Sequence, residues 1–81
     1  MSGKLYVVGT PIGNLGDFSP RAQETLANAD FIAAEDTRVT MKLLNHFDIH
    51  TPLVSYHDHN RVSCGEYVVS RILAGENCAL V

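Results

Sequence analysis

The sequence predicts an α/β fold: three layers, a mostly parallel sheet, and the element order β-α-β-α-β-α-β. Three observations lead there. Four short, largely apolar runs (Leu5–Val8, Phe31–Ala34, Leu53–Tyr56 and Cys78–Val81) suit strands covered on both faces. The stretches between them carry apolar residues at helical spacing. Cap residues punctuate those stretches where helices should begin and end. Strands alternating with helices imply parallel pairing through right-handed crossovers.

Taken in order, Leu5-Tyr6-Val7-Val8 reads as a fully buried first strand. Ser19-Pro20 opens the first helix, because serine accepts from unpaired N–H groups and proline suits the first turn. Ala22, Leu26 and Ala29 fall at i, i+4 and i+7 and give that helix a narrow apolar face. Phe31-Ile32-Ala33-Ala34 is the second strand, bounded by Asp30 and by Glu35-Asp36. Asp36 or Thr37 caps a second helix whose stripe is Thr40, Leu43, Leu44 and Phe47. Pro52 stops anything helical before the third strand, Leu53-Val54-Ser55-Tyr56. Asn60 caps a third helix in which Val68, Val69, Ile72 and Leu73 face inward, with Gly75 as its C′ residue. Cys78-Ala79-Leu80-Val81 begins a fourth strand, whose open edge invites a partner. Domain boundaries belong in exposed polar linkers, so an end inside an apolar strand reads as the N-terminal part of a longer protein.

Composition narrows the functional classes. At 81 residues the chain makes one small domain at most, and a domain of that size buries only about 60–65% of its unfolded surface. With 46% hydrophobic and 19% charged residues it suits a globular core. Its apolar runs fall far short of the roughly 20 residues that span a bilayer, and the start is too short for a secretory segment. A cytoplasmic protein with no membrane association is the expectation. Cys64 and Cys78 read as reduced thiols there, Cys78 inside a core strand. The net charge of −3 and the lack of any Lys/Arg cluster mean that this segment cannot supply most of the grip on a nucleic acid.

Three polar segments follow strands, and all should line the carboxyl edge of the sheet, where open α/β folds bind ligands. The first, Gly9 to Asp17, reads G-T-P-I-G-N-L-G-D. It lacks the lysine of a P-loop and the spacing of G-x-G-x-x-G. Glu35, at the end of the second strand, sits where a ribose-binding acid would, yet the first helix starts too late for its N-terminus to meet a pyrophosphate. A ligand-binding turn and a tight structural turn both remain open. The second segment, Ala33-Ala34-Glu35-Asp36-Thr37-Arg38, fits helix capping with a local ion pair, and equally fits acids and a cation set in a site. The third, Ser55-Tyr56-His57-Asp58-His59-Asn60-Arg61, lacks a third ligand at zinc spacing, so no metal is expected. It reads as a polar loop with a helix cap, or as imidazole and amide groups that position a substrate or accept a proton near neutral pH.

Together these segments, with Ser19-Pro20-Arg21-Ala22, resemble the N-terminus of the bacterial small-subunit ribosomal RNA ribose 2′-O-methyltransferases, within the tetrapyrrole methylase superfamily. The resemblance runs over nearly the whole chain, and the pairing of G-T-P-I-G-N-L-G-D with A-E-D-T-R makes it specific. It implies a transferase that uses S-adenosylmethionine and acts on the ribose 2′-hydroxyl of a cytidine in ribosomal RNA of the small (30S) subunit. It also implies two α/β domains with the cofactor between them, and a homodimer. Residues 1–81 would then be the N-terminal part of the first domain, with the rest of that domain and the second domain lying beyond, which leaves the segment inactive alone. On this resemblance Thr10, Pro11 and Gly13 shape the cofactor cleft. Arg38 holds an RNA phosphate, while Asn14, His59 and Asn60 orient the nucleotide. Glu35, Asp36 and His57 are the acid–base candidates, and the sequence does not choose among them. The alternatives are a methyltransferase for a small tetrapyrrole, disfavoured by the first loop, and a non-catalytic α/β module for nucleotide binding or dimerisation.

Overall fold

Side chains set where the helices start. Ser19 accepts from the Ala22 backbone N–H at 3.1 Å, and Pro20 occupies the first turn of α1 (Pro20–Asn28). Asp36 does the same for α2 (Thr37–His46). The remaining elements are α3 (Arg61–Leu73) and the strands β1 (Leu5–Val7), β2 (Phe31–Ala34), β3 (Leu53–Ser55) and β4 (Cys78–Leu80). This computed structural model describes residues 2–9, 18–56 and 61–81, apart from the side chains of residues 61–64. The expected alternation of strand and helix is present in full, and every pairing in the four-stranded sheet is parallel.

The spatial order is β1-β4-β2-β3. Going from β1 to β2 to β3 the chain moves one way across the sheet, and from β3 to β4 it reverses. Right-handed crossovers therefore place α3 on the opposite face from α1 and α2. The two cores follow this division. Ile32 and Ala79 meet Leu26 of α1 and Leu43 and Leu44 of α2, together with Phe18 and Ile49. Phe31, Ala33 and Cys78 meet Val68 of α3, with Val54, Ile72 and Leu80 packed around them. Successive strand residues point to opposite faces, so the run Phe31–Ala34 serves both cores and is buried throughout. Burying side chains such as Leu26, Phe31, Ile32 and Leu44 stabilises the fold by about 1.5–3 kcal/mol each.

The amino ends of the strands are tied by polar contacts. The Asn77 backbone N–H donates to Asp30 Oδ2 at 2.7 Å, while Asn77 Oδ1 accepts from the Lys4 N–H at 2.9 Å. Gly75 follows α3 with φ 103°, a left-handed conformation that suits the glycine expected there. At Gly3 a Cβ would fall onto the Glu76 carbonyl, so β1 can lie this close only without a side chain at that position.

Three expectations need correction. The first strand is not fully buried: Leu5 is 50%, Tyr6 40% and Val7 79% exposed. β1 is an edge strand, and the helices lie mainly over its neighbours. Of the four residues expected to face inward from α3, Val68 and Ile72 turn toward the sheet, while Val69 and Leu73 are 54% and 67% exposed. Residues 68 and 72 lie one turn apart on one line, and 69 and 73 lie about 100° round the helix. Finally, β4 has no open edge, because it pairs with β1 on one side and β2 on the other; among the described residues the outer strands are β1 and β3.

Candidate functional site

The strand ladders fix the carboxyl edge of the sheet. The Tyr56 N–H donates to the Ala34 carbonyl at 2.7 Å, the Val81 N–H to Ala33 at 3.0 Å, and the Val8 N–H to Leu80 at 2.9 Å. β2 is therefore held on both sides where it ends, and Glu35 is the first residue past it.

An open depression of about 510 Å³ lies at this edge, lined by Glu35, Asp36, Thr37, Arg38 and Ser55. Of the sequence-predicted site residues, Glu35, Asp36 and Arg38 come together here. Thr10, Pro11, Gly13, Asn14, His57, His59 and Asn60 lie outside the described residues. Thr37 and Ser55 also line the depression; the sequence places both in its polar segments, Thr37 as a cap candidate, without marking either as a site residue. The available signal was their position: Ser55 is a hydroxyl at the end of a short, otherwise apolar strand, and Thr37 sits between two charged residues.

The two acids differ sharply in their surroundings. Asp36 is the N-cap of α2, and its Oδ1 accepts from the backbone N–H groups of Arg38 at 3.0 Å and Val39 at 3.4 Å. Arg38 Nε lies 3.8 Å from the same oxygen, a surface ion pair in which the Arg38 side chain remains 91% exposed. The capping reading of Asp36 is thus the one realised in the structure. Glu35 is exposed and makes no hydrogen bond or ion pair among the described residues. Beyond β1, a Cβ placed on Gly9 would meet nothing within 4 Å among the described residues.

The edge therefore offers an uncommitted carboxylate, a guanidinium reaching into solvent and two hydroxyl side chains around one depression. Such a set can accept a proton or hydrogen bond and hold an anion. A second depression, of about 240 Å³, lies between α1 and β1 with Tyr6, Arg21, Asn28 and Asn77 in its lining; the site residues are elsewhere. Among the described residues no group of three or more His, Cys, Asp or Glu could hold a metal ion. None of the described helices is long and apolar enough to cross a membrane.

Residues 4–81 match the family described as Tetrapyrrole (Corrin/Porphyrin) Methylases. The chain is similar to the protein named Ribosomal RNA small subunit methyltransferase I in several bacteria. It is 61% identical to that of Synechocystis sp., covering 98% of this chain and 28% of the relative. It is 58% identical to that of Halalkalibacterium halodurans, covering 98% of this chain and 27% of the relative. For Bacillus subtilis the identity is 54%, with the same coverage of 98% and 27%. The chain thus spans less than a third of the length of these curated relatives.

Proposed function

The chain belongs to the tetrapyrrole methylase family, and from that premise we propose that the whole protein is a methyltransferase for small-subunit ribosomal RNA. The observation that carries this reading is the identity of 61% over 98% of the chain with a ribosomal RNA small subunit methyltransferase. Residues 1–81 form the N-terminal part of its first α/β domain. The methyl acceptor is the ribose 2′-hydroxyl of a cytidine. The protein works in the cytoplasm as a homodimer on the 30S subunit. This segment carries a net charge of −3, so most of the grip on RNA comes from the rest of the protein.

S-adenosylmethionine, when bound, supplies an electrophilic methyl group on a positively charged sulfur. The described residues suit such a group: none of them would crowd a Cβ placed on Gly9, and two acids stand at the same sheet edge. Thr10, Pro11 and Gly13 hold it from the first loop. Arg38, with its guanidinium in solvent, pairs with a phosphate of the RNA. Asn14, His59 and Asn60 orient the nucleotide, which converts binding energy into a productive approach of hydroxyl to methyl group. Glu35, Asp36 and His57 supply the acid–base and positioning functions.

The test uses the full-length protein, unmethylated 30S subunits and S-adenosylmethionine with a labelled methyl group. Label on a cytidine that survives base removal as a 2′-O-methylribose is the expected result. Label on a nucleobase would overturn the ribose assignment. Transfer to a tetrapyrrole with none to RNA would overturn the substrate class.

A further inference from the structure

We infer that Glu35 is the carboxylate that takes the proton from the substrate hydroxyl, and that Asp36 is a positioning residue that builds the floor beside it. The inference rests on the methyltransferase reading above and assigns roles that the sequence leaves open between the two neighbours.

Asp36 is committed to the backbone. Its Oδ1 receives two N–H groups of the first turn of α2, from Arg38 and Val39, and lies 3.8 Å from Arg38 Nε. A proton on that carboxylate would weaken the acceptor on which the start of α2 depends. The geometry turns Asp36 toward its own helix. Glu35 carries no such duty. It is exposed, lines the same depression, and has no hydrogen-bond or ion-pair partner among the described residues.

Its backbone is nonetheless well fixed. β2 is an inner strand, and its last two carbonyls, Ala33 and Ala34, accept from Val81 and Tyr56. Glu35 therefore combines a rigid base with an available carboxylate. In the reaction the hydroxyl O–H bond breaks as its oxygen bonds to the methyl carbon. The proton passes to a Glu35 carboxylate oxygen and then to solvent, and the carbon–sulfur bonding pair stays on the donor's sulfur. Arg38 contributes through its backbone N–H to the cap and through its exposed guanidinium to the RNA.

The experiment compares full-length Glu35→Gln, Asp36→Ala and Asp36→Asn with wild type, by methylation kinetics on 30S subunits and by thermal melting. Loss of general-base assistance lowers rates by about 10²–10⁴-fold. Glu35→Gln is expected to lose kcat on that scale, with KM and Tm close to wild type. Asp36→Ala is expected to lower Tm together with the rate. Asp36→Asn, an equally good cap, is expected to restore most of both. Wild-type rates in Glu35→Gln would overturn the assignment, as would loss of kcat in Asp36→Asn with Tm intact. A wild-type protein that leaves the RNA unmethylated would instead overturn the functional reading on which the assignment rests.

Discussion

Arg71 lies over the Phe31 ring, with its guanidinium carbon 4.0 Å from the ring centre, and its Nε holds Glu76 at 2.8 Å. Its Nη1 also donates to the Tyr67 hydroxyl at 3.1 Å. The fork joins the last turn of α3 to the connection that leads into β4 and covers a fully buried aromatic side chain. Hydrogen bonds from Arg71 lower the Glu76 pKa, and those same bonds raise that of Arg71. A carboxyl group whose folded pKa is depressed stabilises the fold above its ordinary range, and that contribution is lost as pH falls through the folded value. Glu76→Gln should therefore melt below wild type at neutral pH, and the gap should close under acid; melting curves across that range check it. No sequence pattern pointed to this cluster, because Phe31 and Arg71 are forty residues apart. The Glu35–Arg38 segment was legible for the opposite reason: its residues are adjacent in sequence and follow a strand. Which of the two readings of Asp36 holds was not legible, since capping depends on where a side chain turns.

Among the elements, α1 and α2 were readable in detail. Their caps are local, and their apolar stripes are narrow enough to leave one possible inner face. α3 was read less well because Val68, Val69, Ile72 and Leu73 offer a wide apolar arc, of which the sheet contacts only part. A contrast between helices tests this. Leu44→Ala, at a side chain 2% exposed, should cost about 2–5 kcal/mol. Leu73→Ala, at a side chain 67% exposed, should stay within about 0.5 kcal/mol. Denaturant titrations of the two variants measure both values. A large loss in Leu73→Ala would mean that α3 sits in a different rotation on the sheet.

On the scale of the whole molecule, the strand order β1-β4-β2-β3 leaves β1 as an outer strand among the described residues, and its Leu5 and Val7 share a sheet face with α3. Exposed apolar edges promote association between chains. Val7→Lys, at a position 79% exposed, should change stability by no more than about 0.5 kcal/mol. It should also reduce concentration-dependent association of the 81-residue chain in sedimentation experiments. The sequence by itself determined the alternating elements, the helix caps and the presence of polar segments after strands, because each depends on contacts within a few residues. It also carried the family, through a specific motif pair and a resemblance that runs in order along nearly the whole chain. Only the tertiary structure decided the strand order, the exposed face of α3, the burial of β4 between two neighbours and the turn of the Asp36 side chain toward α2. Those follow from long-range pairing and from the direction of each side chain, and apolar runs alike in composition become an edge or a centre only when the sheet assembles.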